Sequence, residues 1–275
     1  MSLMVKNRNR EKPDFANINL LGKCNVDCYF CLGKDIADLL NKHNQLKIHF
    51  SKWKNFHKFI DICKKDNIKK LYITGQNTDS LLYKYLDELI DFLHSEGFTV
   101  GIRTNGYLAL QKLDTINKCT NSVGYSIHSL NPETNYKIMK RRDIPDWERI
   151  IPNTKNVRIA IVLNRYNANE FFDLLKFISK FKNVRYVQVR RISTDTRYKE
   201  LKEDIEIYEK VFEYVCKNFP FIGRFYLAEQ FEIFGMQVNF WRTVQTSINS
   251  YNYFTDGTIS KEYFIVEGYL KNYKN

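Results

Sequence analysis

Apolar residues along this chain follow two alternating periods. Phe15-Ala16-Asn17-Ile18-Asn19-Leu20-Leu21 reads as a strand that ends at Gly22. Trp53, Phe56, Phe59, Ile60 and Cys63 then fall at three- and four-residue steps, which predicts a helix over 50–67 with Ser51 as its cap. Lys70-Leu71-Tyr72-Ile73-Thr74 is a short strand followed by Gly75. Leu82, Tyr85, Leu86, Leu89, Ile90 and Leu93 share one face of a helix over 80–95, which ends at Gly97. The alternation continues with strands over 98–103, 122–127, 156–163 and 184–189. Helices lie between them near 108–118, from Asn131-Pro132-Glu133 onward, over 170–180 and over 200–217.

Six strand–helix units of about 30 residues each predict a parallel sheet with crossover helices. Six units fall short of eight, so the expected fold is α/β: a partial (β/α)6 TIM-like barrel with a short C-terminal cap. Functional residues are expected at the carboxyl ends of the strands. After residue 219 the pattern changes to a strand over 221–227 and a hairpin over 253–259 built on Asp256-Gly257. The expected organisation is a loose basic arm over 1–13, a barrel core over 14–218, and an extension over 219–275 packed on the same domain.

Composition narrows the class. The chain has 275 residues, 43 Lys and Arg against 31 Asp and Glu, and a net charge of +12. A hydrophobic share of 44% excludes a wholly disordered chain. No stretch approaches the ~18 apolar residues of a membrane span. The basic N-terminus lacks the apolar segment of a secretory signal, so a cytoplasmic location is expected. The positive charge, with 18 Tyr and 20 Phe, raises nucleic-acid binding as a function class. Lys and Arg are nevertheless spread along every helix, and no recognised nucleic-acid motif occurs.

Cysteine spacing carries the chemistry. Cys24, Cys28 and Cys31 spell C-x3-C-x2-C, whereas Cys63, Cys119 and Cys216 stand alone. Three soft thiolates in one loop suit iron–sulfur or zinc. A structural zinc site takes four ligands, usually as two separated pairs. No second pair exists, although His43 or His49 could supply a fourth ligand. Three cysteines fit a four-iron cluster with one iron open to an external ligand. The plain alternative is buried free thiols, for which a polar loop containing Asp27 is a poor apolar setting. Cys119 and Cys216 are read as ordinary buried residues.

With Phe30 directly before the last cysteine, this signature resembles that of the radical S-adenosylmethionine (SAM) superfamily, over roughly residues 15–195. The resemblance implies a [4Fe-4S] cluster on Cys24, Cys28 and Cys31, with SAM chelating the open iron. Electron transfer from the cluster would cleave the sulfonium and release a 5′-deoxyadenosyl radical, which abstracts hydrogen from a substrate. The resemblance also implies SAM contacts. Thr74-Gly75-Gln76-Asn77 stands where the family often has Gly-Gly-Glu. The glutamate is missing, and backbone carbonyls or the Gln76 and Asn77 side-chain oxygens would accept from the SAM ammonium. Asn105, in Thr104-Asn105-Gly106, matches a common turn after strand three that is also an ordinary turn signal. Ser126 corresponds to a serine that contacts the SAM carboxylate or ribose. Arg141 corresponds to an arginine that binds the carboxylate, with a solvated charge run as the alternative. Val162, Leu163 and Asn164 end strand five, where relatives hold the adenine. His128 either packs or faces the substrate. Alternation lets only one of Arg190 and Arg191 face the barrel mouth.

The resemblance implies a small-molecule or peptide substrate and a reductant such as flavodoxin or ferredoxin. Peptide cross-linking or epimerisation is one class of reaction, and the alternative is a nucleotide, sugar or RNA substrate. A non-catalytic metal- or nucleic-acid-binding protein is the third reading. Only Cys216 lies beyond Cys119, so one cluster is expected.

Overall fold

Each predicted strand forms, and all six run parallel: β1 (Phe15–Leu21), β2 (Lys70–Gln76), β3 (Thr99–Thr104), β4 (Val123–Ser126), β5 (Val157–Val162) and β6 (Val184–Arg190). The computed structural model describes residues 15–193, 197–225, 228–242 and 250–261, so the arm expected over 1–13 lies outside the described residues. Helices α1 (Ala37–Lys42), α2 (Phe56–Lys65), α3 (Leu86–Ser95), α4 (Leu113–Asn117), α5 (Pro132–Met139), α6 (Trp147–Ile150) and α7 (Phe171–Ile178) connect the strands, and α8 (Tyr198–Asn218) follows β6. The chain thus winds a partial (β/α)6 TIM-like barrel.

The C-terminal segment joins the same sheet. It contributes β7 (Phe221–Phe225), β8 (Ala228–Ile233), β9 (Met236–Trp241), β10 (Ser250–Phe254) and β11 (Ile259–Ser260). The sheet order is β11-β10-β1-β2-β3-β4-β5-β6-β9-β8-β7. β9 lies parallel beside β6, and β10 lies parallel beside β1. Crossing from one edge to the other, the chain extends the barrel wall at both sides. The Asp256-Gly257 turn joins β10 to antiparallel β11, with Gly257 at φ 102.

Helix starts differ from the sequence expectation. Ser51 lies in a 3-10 turn over Phe50–Lys52, and α2 begins only after Asn55, which sits in the left-handed region at φ 57. The helix expected over 80–95 likewise splits into a 3-10 turn, Ser80–Leu82, and α3. Apolar spacing is similar in a 3-10 turn and an α-helix over one turn, so it does not mark the break. Cys63 and Cys119 are buried, as a packing role requires, but Cys216 is exposed. Its neighbour Val215 takes the buried face of α8, and one residue further turns the side chain to solvent.

Alternation along the strands assigns two faces. Ile18, Ile73, Ile102, Tyr125, Ile159 and Val187 join one hydrophobic core with residues of the surrounding helices. The intervening positions point into the lumen, and many are polar or small, among them Asn17, Thr74, Arg103, Gly124, Arg158 and Gln188. A closed apolar layer thus stabilises the outer wall, while the lumen is free to carry chemistry.

Candidate active site

The cysteine loop leaves the carboxyl end of β1 and is held from two sides. Its backbone N–H groups at Asp27 and Tyr29 donate to the carbonyls of Met139 (3.0 Å) and Ile138 (3.1 Å) at the end of α5. These are terminal helix carbonyls with no partner inside the helix, so the loop satisfies them. From the α8 side, Arg197 donates to the Tyr29 and Cys31 carbonyls, the latter at 2.8 Å, and pairs with Asp35. The Tyr29 hydroxyl donates to the fully buried Asp204 carboxylate at 2.9 Å. Asp204 also accepts from the Arg165 backbone and guanidinium.

All three cysteines line one cavity of about 280 Å³, which runs from their loop into the lumen. Burial pushes the Cys24 thiol up to about 12 and raises Cys28 and Cys31 as well. The charges of the other two cysteines raise Cys28 further. Three such thiols ionise together only around a cationic centre. Among the described residues no three His, Cys, Asp or Glu side chains converge on one metal-ion position. A single zinc ion requires that convergence, with each thiolate about 2.3 Å away. A four-iron cluster takes each cysteine on a different iron, so the donor set fits the cluster.

Most of the expected SAM contacts gather on the same cavity: Phe30, Thr74, Gly75, Gln76, Asn77, Asn105, Ser126 and Val162 all line it. The Asn105 amide donates to Asn25 Oδ1 (2.8 Å) and reaches Cys24 Sγ (3.7 Å), so this turn residue touches one of the three cysteines. Gly75 is required sterically, because a Cβ there would lie 1.9 Å from the Thr78 carbonyl oxygen. Gln76 donates its amide to Asn19 Oδ1 (2.9 Å), which leaves its own oxygen as the acceptor it can offer. Asn77 donates to the Gly22 carbonyl (3.2 Å) and to Asn41 Oδ1 (3.0 Å), so its amide nitrogen braces the loop.

Three expected contacts lie elsewhere. Arg141 gives its fork to Asp143, stacks on Tyr107 at 4.4 Å, and reaches the cysteine loop only at the Asn25 carbonyl (3.4 Å). Leu163 packs in the hydrophobic core. Asn164 is fully buried and shapes the loop after β5, donating to the Val162 carbonyl at 2.9 Å and accepting from Tyr166 N–H at 2.9 Å.

The cavity also contains residues that the family pattern did not single out. Asp79 is buried and accepts from Leu81 N–H (2.9 Å), Thr104 hydroxyl (2.8 Å) and Asn105 N–H (2.6 Å), tying the ends of β2 and β3 together. Arg103 and Arg158 line the lumen, and the signal for them was present: each is a cation at an inward position of an otherwise apolar strand. Arg190 and Arg191 both line the cavity. β6 ends at Arg190, so strand alternation does not bind Arg191. His128 is buried, and its Nδ1 accepts from Val162 N–H (3.2 Å), which places the proton of the neutral ring on Nε2. Burial lowers its pKa to about 4.

Comparison with known proteins agrees with this geometry. The chain is similar to the GTP 3',8-cyclase of Aquifex aeolicus, at 26% identity over 64% of this chain and 57% of that protein. It is similar to the same enzyme of Clostridium perfringens, at 25% identity over 75% of this chain and 65% of that protein. The chain therefore spans between half and two thirds of the length of these relatives. In fold it is similar to Streptococcus suis SuiB bound to S-adenosylmethionine, with a TM-score of 0.63 and 16% identity, covering 90% of this chain and 59% of that one. SuiB bound to its precursor peptide SuiA aligns with a TM-score of 0.64, also at 16% identity, over 92% of this chain and 60% of that one. The family model for the radical SAM superfamily matches residues 18–178, more than half of the chain, and the three cysteines lie within that match. The chain is a radical SAM enzyme, a member of the superfamily that works with a [4Fe-4S] cluster and S-adenosylmethionine.

Proposed function

We propose that this enzyme acts on a phosphorylated small molecule of the nucleotide class, held in the barrel lumen beneath SAM. The observation that carries this reading is the lining of the cavity, where Arg103, Arg158, Arg190 and Arg191 face the same space as the three cysteines. Guanidinium groups bind phosphate oxygens in bidentate fashion, and within a barrel they favour an anionic ligand. The relatives named as GTP 3',8-cyclases support the same class. SuiB shares the fold at 16% identity, so its peptide complex speaks to architecture and not to the substrate of this chain.

When bound, the cluster and SAM would supply radical chemistry that starts with hydrogen abstraction from the substrate. The residues of the chain then have assignable tasks. Cys24, Cys28 and Cys31 would hold the cluster, and Asn105 donates toward Cys24 sulfur. The Thr74–Asn77 turn and Ser126 offer acceptors and a hydroxyl to SAM. Val162 supplies an apolar wall for its adenine. Buried, neutral His128 can donate one Nε2–H bond without adding charge.

The test is anaerobic turnover with SAM and a reductant, flavodoxin or dithionite, against a panel of nucleoside triphosphates, sugar phosphates and peptides. Release of 5′-deoxyadenosine should rise with a phosphorylated member of the panel, and deuterium should pass from that substrate into the product. Stimulation by peptides alone would refute the proposed class.

A further inference from the structure

Deep in the lumen, below the ring of cofactor contacts, Arg158 projects from the start of β5 and is only 6% exposed. Its backbone partner on β4 is Gly124, whose own partner on β3 is Arg103. A Cβ at Gly124 would lie 3.0 Å from both Nε and Nη2 of Arg158, so the glycine leaves the space that the guanidinium occupies. Arg103 and Arg158 both lie over the Tyr72 ring, at 5.3 and 5.8 Å. On the other side, Arg158 Nη1 donates to Gln188 Oε1 at 3.3 Å, and the same oxygen accepts from Arg190 at 2.8 Å. Two guanidiniums thus share one neutral amide oxygen. The Arg158 Nε is buried with no hydrogen-bond acceptor, and among the described residues no carboxylate pairs with this side chain. Asp79 lines the same cavity but is committed to Leu81, Thr104 and Asn105.

A buried cation with a donor left unmet, as at Arg158 Nε, and with no paired carboxylate is disfavoured unless a ligand supplies an acceptor. We propose that Arg158, with Arg103 beside it across Gly124 and Arg190 across Gln188, forms a subsite for the oxyanion end of the substrate, a phosphate or a carboxylate. This inference rests on the proposed anionic substrate and adds an orientation to it. The Arg158 backbone lies four residues before Val162 on β5, about 13 Å of strand rise, and its guanidinium reaches up to Gln188, which is in register with Ala160. The substrate therefore enters with its anion first and presents its far end to the cofactors.

The test is thermal melting of the full-length, cluster-loaded protein at constant ionic strength, with chloride replaced by inorganic phosphate or by acetate. Wild type should show a saturable rise of about 2–4 °C with the anion that fits. A response to phosphate alone identifies a phosphate subsite, and a response to acetate alone identifies a carboxylate subsite. Arg158→Met should melt in chloride at or above the wild-type temperature, because an unpaired buried charge is removed, and should lose the anion response. An equal anion response in wild type and R158M, or no saturable response in wild type to either anion, would overturn the proposal. Gly124→Ala, which keeps the charge but fills the space beside it, reads the same site if R158M does not fold. In that case a retained response overturns the proposal and a lost one supports it. No turnover is involved, so a failure here is separate from a failure of radical chemistry, which would appear as absent 5′-deoxyadenosine.

Discussion

Asp204→Asn isolates what holds the cysteine loop. The Asp204 side chain is 0% exposed and faces Arg165, whose side chain is 27% exposed. One carboxylate oxygen accepts from Tyr29 hydroxyl (2.9 Å), Arg165 N–H (2.8 Å) and Arg165 Nε (3.1 Å), and the other accepts from Arg165 Nη2 (2.7 Å). An amide keeps the first oxygen but puts an NH2 donor against Nη2 and removes the charge. Breaking a buried pair costs about 3–5 kcal/mol, and a hydrogen bond to a charged group contributes about 1.5–3 kcal/mol. Solvent reaches Arg165 and moderates the loss, so about 2–3 kcal/mol is expected. For a chain of this size that is a fall in Tm of about 4–12 °C. The same guanidinium meets Glu203 at 2.7 Å, but Glu203 is 60% exposed. Glu203→Gln should therefore cost under about 1 kcal/mol. Melting of the two variants side by side is the assay. Tyr29 lies between Cys28 and Cys31, so D204N should also lose iron faster to a chelator, whereas E203Q should not. Equal melting losses in the two variants, or no loss in D204N, would refute the assignment of Asp204 as the anchor.

Three further outcomes are expected. Cys28→Ala should abolish iron retention and the broad absorbance near 400 nm after anaerobic reconstitution, and continued SAM cleavage by that variant would show that the cluster site is elsewhere. His128 titrates near 4 in the fold against about 6.5 unfolded, so the unfolded chain binds the proton first. Its contribution is present above pH 6.5 and is lost as the pH falls through 4, about 3 kcal/mol in all, and the denaturant-derived stability of His128→Gln should lack that part of the slope. Gly106 has φ +82, and a Cβ there would lie 2.2 Å from the Trp147 ring. Gly106→Ala should thus destabilise by about 2–4 kcal/mol in equilibrium unfolding, and a neutral result would mean that the turn relaxes freely.

The chain wrote its architecture in local terms. Alternating periods marked six parallel strands and the principal helices, because burial against one sheet face demands apolar residues at fixed spacing. Cys24, Cys28 and Cys31 sit within one loop, so their shared chemistry could be read from spacing alone. The turns at Gly75 and Asn105 were legible for the same reason, since each lies immediately after a strand whose end faces the site. Other features depended on distance in sequence. β9 and β10 reach β6 and β1 across long separations, and β1 pairs with residues more than 230 positions away, as in Asn17 with Asn252. No local period encodes which edge such a strand will choose. The neighbours of Arg141 likewise depended on the fold, which sets Asp143 within its fork and Tyr107 beneath it. The surroundings of Arg158 depended on register, which put it beside Gly124 and Gln188, inside the lumen. Sequence by itself determined the class of fold and the cluster loop, because both follow from neighbouring residues. Tertiary structure decided which charged groups neutralise one another and which face the cavity, because that balance depends on which strands become neighbours.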